Sequence, residues 1–514
     1  MILCMEEDFL KFVRGLSITG VGILYSAIMF YAAALITVNL LGPTLYGLYS
    51  LAYMVPSVAV YFLLFGLDVT AARYIAHNLG KKNEEKALKC AQTIFAVRMP
   101  VAFFSMIVFF FLSDFFSRIL GENIVLGLQL LSVYIFVLLV IRYLMAVLQG
   151  YFLLKERTIT EAVSNTLSLI FLLPLFYFGF GYISPILAFV FALLAAIALS
   201  VYYLERAGIP VFRIQFEGFE ELKEYLRFSY HVYISDSFAW AYVWIGTVVI
   251  KMYAMPVETV GYYRAMFSIT STVVLISYGL TVVLYPMLSE LHAREEYGRL
   301  SFSLRKVIKY ALALSIPAAF GMLFISHPLV STLFPKYIAA VDLLRIFSLR
   351  MIFLPLWSIL ATSLLTLDRA KQQALISVFL CSFTFVLSLI LGFFSVEGIA
   401  VASTVGLACA TILQYIVLKK RVIHLNAGPV LKFCFSAAIM CAVVWLILQA
   451  NLWDSAKVGL SCVCGILVYS FLVLKTRAVS EIDIEMMRSG LSAFGRFGKK
   501  MEAILNLAQK IQRL

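Results

Sequence analysis

The sequence predicts an all-α polytopic membrane protein of about fourteen transmembrane helices, counted at ~20 residues per span. Two six-helix bundles related by a parallel internal repeat precede two further C-terminal helices. Three observations predict it. The 514 residues are 63% hydrophobic and 13% charged, with a mean hydropathy of +0.97. A soluble chain carries about 25% charged residues, so a globular fold of this composition would have no surface to offer water, and a bilayer is the solvent that fits. The apolar residues fall in long runs between short polar stretches. Finally, landmarks of 43–103 return in the same order at 256–320. Pro43, Gly47-Leu48-Tyr49, a polar loop at 79–89 and Pro100-Val101-Ala102-Phe103 are answered by Pro256, Gly261-Tyr262-Tyr263, a polar loop at 291–306 and Pro317-Ala318-Ala319-Phe320. An internal repeat of apolar segments is a transporter signature, with the substrate path between the related bundles.

The first six spans lie near 16–38, 45–66, 90–112, 124–146, 159–179 and 183–204. The acidic start, Met5-Glu6-Glu7-Asp8, lacks the basic region of a cleavable signal, so the first run is expected to be a retained helix. These spans form an N-terminal bundle, 1–204. A charged linker at 205–229 contains the breaker Gly208-Ile209-Pro210. The second bundle, 230–420, holds spans near 230–250, 260–286, 307–327, 343–366, 373–393 and 396–418. Two more spans fill 421–474. An even number of spans per bundle makes both bundles enter from the same side, so the repeat is parallel. The tail, 475–514, is not a span. Met487, Leu491, Phe494, Met501, Leu505 and Ile511 recur at near-helical spacing among Lys499, Lys500, Lys510 and Arg513, after the helix-start pattern Ser480-Glu481-Ile482-Asp483. A basic amphipathic helix on the cytoplasmic leaflet is expected; docking on a partner is the other use of such a helix.

Charge placement tests the count. Most of the 41 lysines and arginines fall in alternate loops, as at Lys81, Lys82, Lys86 and Lys89, or Arg305, Lys306 and Lys309. The opposing loops hold only Arg118, Lys251, Lys336 and Lys457. That alternation follows the positive-inside rule and places both termini in the cytoplasm of a plasma-membrane protein. It also removes nucleic acid as the meaning of the +13 net charge. The eight cysteines lie mostly within apolar runs with no CxxC pair, and the five histidines are scattered. No disulfide framework, metal centre or acyl-transfer site is implied. There is no P-loop. No cofactor is expected, and the chain is not expected to be an enzyme; transport would draw on gradients or substrate supply.

A charge deep in a span costs at least ~2.5–3.5 kcal/mol, so each needs a reason. The candidates are Arg98, Arg142, Asp236, Arg264, Arg345 and Arg350. Arg264 and Arg345 lie near outer span boundaries and Arg142 near an inner one, where snorkelling to the headgroups is the alternative to a cavity role. Arg98 and Arg350 sit about two turns in and are expected to face an internal cavity. Asp236 shares a helical face with Tyr233, Ser237, Trp240, Trp244 and Thr247. Such a stripe points into protein or water; a structural ion pair with an arginine and a role in ion coupling are both open. Arginines outnumber the single in-span aspartate, and guanidinium holds phosphate bidentately. The cavity therefore suits an anion.

The run Leu41-Gly42-Pro43-Thr44-Leu45-Tyr46-Gly47-Leu48-Tyr49-Ser50, with Gly66-Leu67-Asp68 and Arg73-Tyr74-Ile75-Ala76, resembles the polysaccharide-transport (Wzx-type) flippases of the multidrug/oligosaccharidyl-lipid/polysaccharide superfamily. Gly261-Tyr262-Tyr263, Tyr285-Pro286, Leu333-Phe334-Pro335-Lys336-Tyr337 and the tail's Ser480-Glu481-Ile482-Asp483 agree. The resemblance implies two lobes around a central cavity and alternating access coupled to an ion gradient. Its substrate would be a polyprenyl-(pyro)phosphate-linked oligosaccharide, and its partners membrane lipids and the glycosyltransferases or polymerase of the same pathway. A lipid II-type flippase has the same span count and a basic cavity. A multidrug cation antiporter shares the fold but has twelve spans and acidic groups in its first lobe; spans 1 and 2 here contain no carboxylate. A non-transporting scaffold would need neither the repeat nor the arginines.

Overall fold

The computed structural model describes residues 2–210, 218–275, 288, 291–292, 294–419 and 427–479. Among the described residues the regular structure is helical. The N-terminal elements are α1 (Ile2–Leu63), α2 (Leu67–Gly80), α3 (Glu84–Phe111), α4 (Ser113–Leu120), α5 (Val125–Gly150), α6 (Leu154–Tyr177) and α7 (Ser184–Arg206). There follow α8 (Phe219–Met252), α9 (Val257–Ser271), α10 (Tyr297–Leu333), α11 (Val341–Thr366), α12 (Ala370–Gly392), α13 (Val396–Lys419), α14 (Ala427–Gln449) and α15 (Asp454–Lys475).

Twelve described stretches are long and apolar enough to cross a membrane. The first of them, Gly22–Gly80, has 59 residues, enough for two passes at ~20 residues each. It breaks at Gly42, whose φ of 71° and ψ of 176° interrupt the helix. Glycine tolerates that φ, and Pro43 opens the next helix because its missing N–H would be unpaired there anyway. The expected span at 260–286 begins in α9, and its end, with Tyr285-Pro286, lies outside the described residues. Phe111, Tyr177, Phe178, Phe393, Phe394 and Trp453 are each more than 70% exposed. Water does not support so many bare aromatic rings; they stand at helix ends, where the headgroup region takes them. The chain is a multi-pass membrane protein.

The chain forms two compact units, Gly22–Ile269 with Asp368–Ala410, and Met1–Val21 with Thr270–Leu367 and Thr411–Leu514. In the unit built around Gly22–Ile269, α2, α3 and α5 enclose a core. Leu67, Ala71 and Ile75 meet Ala87, Cys90, Ala91 and Ile94, and both meet Tyr143, Leu144 and Val147. The spacings of three and four put each set on one helix face. Cys90 is thus small apolar filler, and the Tyr143 hydroxyl donates to the Ala91 carbonyl at 3.0 Å. Farther along, α12 packs against α8, with Ser235 and Ser377 hydroxyls 3.2 Å apart.

Two stretches expected as loops are largely helical. The polar stretch 79–89 is a turn at 81–83, and α3 starts at once because the Asn83 side chain accepts from the Lys86 N–H at 2.9 Å. The 205–229 linker shrinks because α8 begins at Phe219 with Glu220 and Glu221 in its first turn. Acidic residues stabilise that end against the helix dipole, but hydropathy does not reveal a polar helix.

In the same unit α1 and α9 cross at the repeat landmarks. Gly47 lies against the Val257 carbonyl, and Gly261 against the Pro43 carbonyl, each with no room for a Cβ. Between them Thr44 Oγ1 donates to Glu258 Oε1 at 2.8 Å, 214 residues away. Close by in sequence, the Lys251 ammonium meets Glu122 at 3.0 Å.

In the other unit α10 packs on α11, α14 and α15. Val273, Ala319 and Met351 form its small core, and the Tyr469 hydroxyl donates to the Ala313 carbonyl at 2.8 Å. The repeat proline Pro317 lies inside α10, as Pro100 lies inside α3. Membrane helices accept such prolines because neighbours re-satisfy the freed carbonyls. The tail at 480–514 lies outside the described residues.

Candidate functional site

The α8 stripe faces the half of α1 that follows Gly42. Tyr233 approaches Phe62 and Phe65, and the Ser237 hydroxyl donates to the Tyr61 carbonyl at 3.1 Å. Trp240 stacks on Tyr61 with ring centroids 4.5 Å apart and planes 21° from parallel. Farther along the stripe, Trp244 lies 5.9 Å from Tyr53. The α1 rings continue: Tyr46, Tyr49 and Tyr53 follow one another at 5.8 and 5.7 Å, and Tyr53 bonds Tyr134 of α5 hydroxyl to hydroxyl at 2.8 Å. These tyrosines escaped the sequence reading. Their signal was there, since positions 46, 49 and 53 share a helix face.

Three of the charged candidates border this aromatic wall. Arg142, on α5, is exposed. Its guanidinium donates to the Tyr61 hydroxyl at 3.0 Å and lies 5.7 Å from that ring's centre. Arg264, on α9, is 8% exposed and does not run out to a surface. It lies 3.8 Å over the Trp244 ring and 5.1 Å from Phe267, and donates to the Val243 carbonyl at 2.9 Å. Cation–π attraction in a desolvated setting is worth about 2 kcal/mol or more, which offsets part of the burial cost. Asp236 is exposed. Among the described residues no cation forms an ion pair with it. Arg142 and Asp68 are the charges that act on it.

The remaining candidates sit elsewhere. Arg98, expected to face a cavity, is buried against α2. It donates to Asp68 Oδ1 at 2.8 Å and to the Leu64 carbonyl at 3.1 Å, with its side chain fully covered. The reason is a carboxylate missed as an in-span charge: Asp68 stands in the first turn of α2, two residues past the helix break at Gly66. Arg98 Nε and Nη1 remain buried without a partner among the described residues. Arg350 belongs to the other unit, 2% exposed, and donates to Ser271 Oγ at 3.2 Å. Arg345, also there, pairs with Asp342 at 2.8 Å at an exposed helix start. The structure therefore brings Arg142, Arg264 and Asp236 to one aromatic wall; Arg98 is held against α2, and Arg350 and Arg345 belong to the other unit.

The sequence profile of the family described as "Polysaccharide biosynthesis protein" matches residues 12–292, more than half of the chain. The chain belongs to that family. The matched stretch contains α1 from residue 12 onward, α5, α8 and α9, and hence the whole aromatic wall. Over 464 residues the chain is 25% identical to "Uncharacterized membrane protein MJ1068" of Methanocaldococcus jannaschii, covering 85% of this chain and 89% of that one. Over 306 residues it is 23% identical to "Probable low-salt glycan biosynthesis flippase Agl15" of Haloferax volcanii, covering 57% of this chain and 62% of that one. Among solved structures it is similar in fold to a lipid II flippase, MurJ, in an inward closed conformation (TM-score 0.71, 16% identity, 88% of this chain and 97% of that one). It is also similar to an inward-facing multidrug resistance MATE transporter of the MOP superfamily (TM-score 0.67, 17% identity, 80% and 97%). The likeness to both structures is one of all-α polytopic fold.

Proposed function

We propose that this protein translocates a polyprenyl-(pyro)phosphate-linked oligosaccharide across the membrane by alternating access, for surface polysaccharide or glycan synthesis. The observation that supports it best is the exposed Arg142 guanidinium beside an aromatic wall within the spans, in a chain of this family. An exposed guanidinium is suited to a phosphate, which it can hold bidentately. Arg142 is assigned the phosphate; Arg264 is covered and would join it only in a conformation that uncovers it, and Arg350, of the other unit, is likewise covered. Arg98 holds α3 to α2. Asp236, exposed and without an ion pair, is assigned to ion coupling. The 1–204 and 230–420 bundles, the cytoplasmic termini and the glycosyltransferase or polymerase partners belong to this same reading.

A lipid II-type flippase and a multidrug or cation antiporter are the competing readings. Fold similarity supports them more directly than it supports a glycan carrier, which leans on the Haloferax volcanii relative. The deciding measurement is the leaflet distribution of lipid-linked oligosaccharide in cells lacking the protein. Accumulation on the cytoplasmic side is expected; an unchanged distribution removes the glycan reading. Asp236→Asn, which keeps shape and removes charge, should weaken the dependence of flipping on a proton or sodium gradient at equal protein level. Wild-type gradient dependence would make Asp236 a bystander.

A further inference from the structure

The α8 stripe holds polar atoms with no protein partner. Trp240 Nε1, Trp244 Nε1 and Thr247 Oγ1 are covered and make no hydrogen bond among the described residues. All three lie on the face that carries exposed Asp236. Buried polar atoms are rarely left so, and each such case calls for an explanation. Packing alone does not supply one, because aromatic rings could fill this space as phenylalanines with nothing left unmade.

We propose that Tyr61 and Trp240, flanked by Asp236 and Arg142, form a carbohydrate subsite that takes a sugar ring of the glycan headgroup. The proposal rests on the glycan-flippase reading and names the part of the substrate that this wall holds. The chemistry separates candidate ligands. A phosphate can be held at the Arg142 edge but has no apolar face to lay on the Tyr61 and Trp240 rings, and Asp236 repels it from them. An organic cation satisfies Asp236 and the ring faces, yet offers nothing to donors such as Trp240 Nε1. Water satisfies the N–H groups and leaves the ring faces unused. A pyranose meets all of them at once. Its C–H face lies on the outer plane of the stacked Tyr61–Trp240 pair, its hydroxyls donate to Asp236, and its oxygens accept from Arg142 and, once α1 and α8 part, from the covered indole N–H groups.

Geometry sets the order of use. Asp236 and Arg142 are exposed, and Tyr61 and Trp240 are half-buried. Trp244 and Thr247 are buried, at 3% and 0%. The ring is therefore held first at the Asp236 end. The unmade bonds at Trp244 and Thr247 lie about 6 Å and 10 Å farther along α8, at 1.5 Å per residue from Trp240. A second sugar reaches them when α1 and α8 part. The platform is consequently shaped for an oligosaccharide lying along α8.

The test uses the full-length protein in nanodiscs and two probes. One is the soluble glycan released by mild acid from the cell's own polyprenyl-linked pool. The other is farnesyl pyrophosphate, which carries the phosphates and no sugar. Saturation-transfer NMR should show transfer from the protein to ring C–H protons of the released glycan. Trp240→Leu should reduce that transfer at least tenfold while farnesyl pyrophosphate binding stays within threefold, which also shows that the variant is folded. Trp240→Phe keeps a ring face and should retain most of the transfer. Absence of transfer with the wild-type protein, or equal transfer with Trp240→Leu, overturns the subsite even if leaflet assays show flipping. Glycan binding without farnesyl pyrophosphate binding or flipping leaves the subsite standing and overturns the flippase reading instead.

Discussion

Arg98 and Arg142 look alike in the sequence and differ in the structure. Both are arginines inside apolar runs of one unit. Arg98 is fully covered and spends a guanidinium nitrogen on Asp68 at 2.8 Å. Arg142 is exposed and is steered by a tyrosine hydroxyl at 3.0 Å. Depth in the span suggested the opposite assignment, since the deeper arginine should be the one that needs a cavity. What decides is the neighbour. A carboxylate on an adjacent helix turns a covered cation into part of the scaffold, whereas Arg142 keeps an exposed guanidinium beside the Tyr61 hydroxyl.

The strongest way to break this comparison is to remove the carboxylate. Asp68→Ala leaves Arg98 buried without its counter-charge, and loss of one partner of a buried pair costs about 3–5 kcal/mol. A thermal-unfolding assay in detergent should show a large fall in midpoint. Asp68→Leu combined with Arg98→Leu should recover near-wild-type stability, because an apolar pair replaces a buried ion pair at little cost. If Asp68→Ala is as stable as wild type, Arg98 is not the scaffold element described here.

Arg142 should behave the other way round. Arg142→Ala is expected to lower flipping at least tenfold and to change stability by less than about 1 kcal/mol, the range for exposed charges. Arg142→Lys should restore activity only in part, since a point charge lacks the bidentate fork. Stability loss matching the activity loss would erase the contrast with Arg98. The smallest effect is expected for Tyr61→Phe, which keeps the ring on Trp240 and deletes the hydroxyl that Arg142 uses. A single hydrogen bond near the surface is worth about 0.5–1.5 kcal/mol, so flipping should fall by about two- to twelvefold. A loss as large as that of Arg142→Ala would mean that the tyrosine hydroxyl acts on substrate directly.

The sequence was legible where the bilayer imposes its rules. Long apolar runs, the Gly42-Pro43 break and the polar face of α8 were readable because each reflects a local requirement of length, backbone or amphipathicity. Asp68 was read as a loop residue because its span was closed at residue 66, and hydropathy cannot show that a helix resumes after Gly66 at φ 66°. The start of α8 at Phe219 was missed for the same reason: Glu220, Glu221 and Lys223 form helix without being apolar. The pairing of Tyr61 with Trp240 is a long-range choice of neighbour. Periodicity fixes which face a side chain occupies, but not which helix meets that face.

The crossing of α1 and α9 has a local two-fold form. Thr44 bonds Glu258, 214 residues on. At that same offset Gly47 corresponds to Gly261, and Pro43 to Val257. Gly47 rests on the Val257 carbonyl and Gly261 on the Pro43 carbonyl, so exchanging the two copies returns the same contact. That is the form of an isologous interface, the kind two identical subunits make about a two-fold axis. The crossing is in effect a homodimer contact enclosed in one polypeptide. It constrains both copies at their glycines, where neither can gain a side chain while the other's carbonyl stays put. Off the axis the copies are at liberty to differ. Ser50 in the first occupies the place of Arg264 in the second, and Tyr46 that of Val260. Such positions serve only one side of the crossing, so Tyr46 can belong to the aromatic wall while Arg264 supplies that wall with a cation.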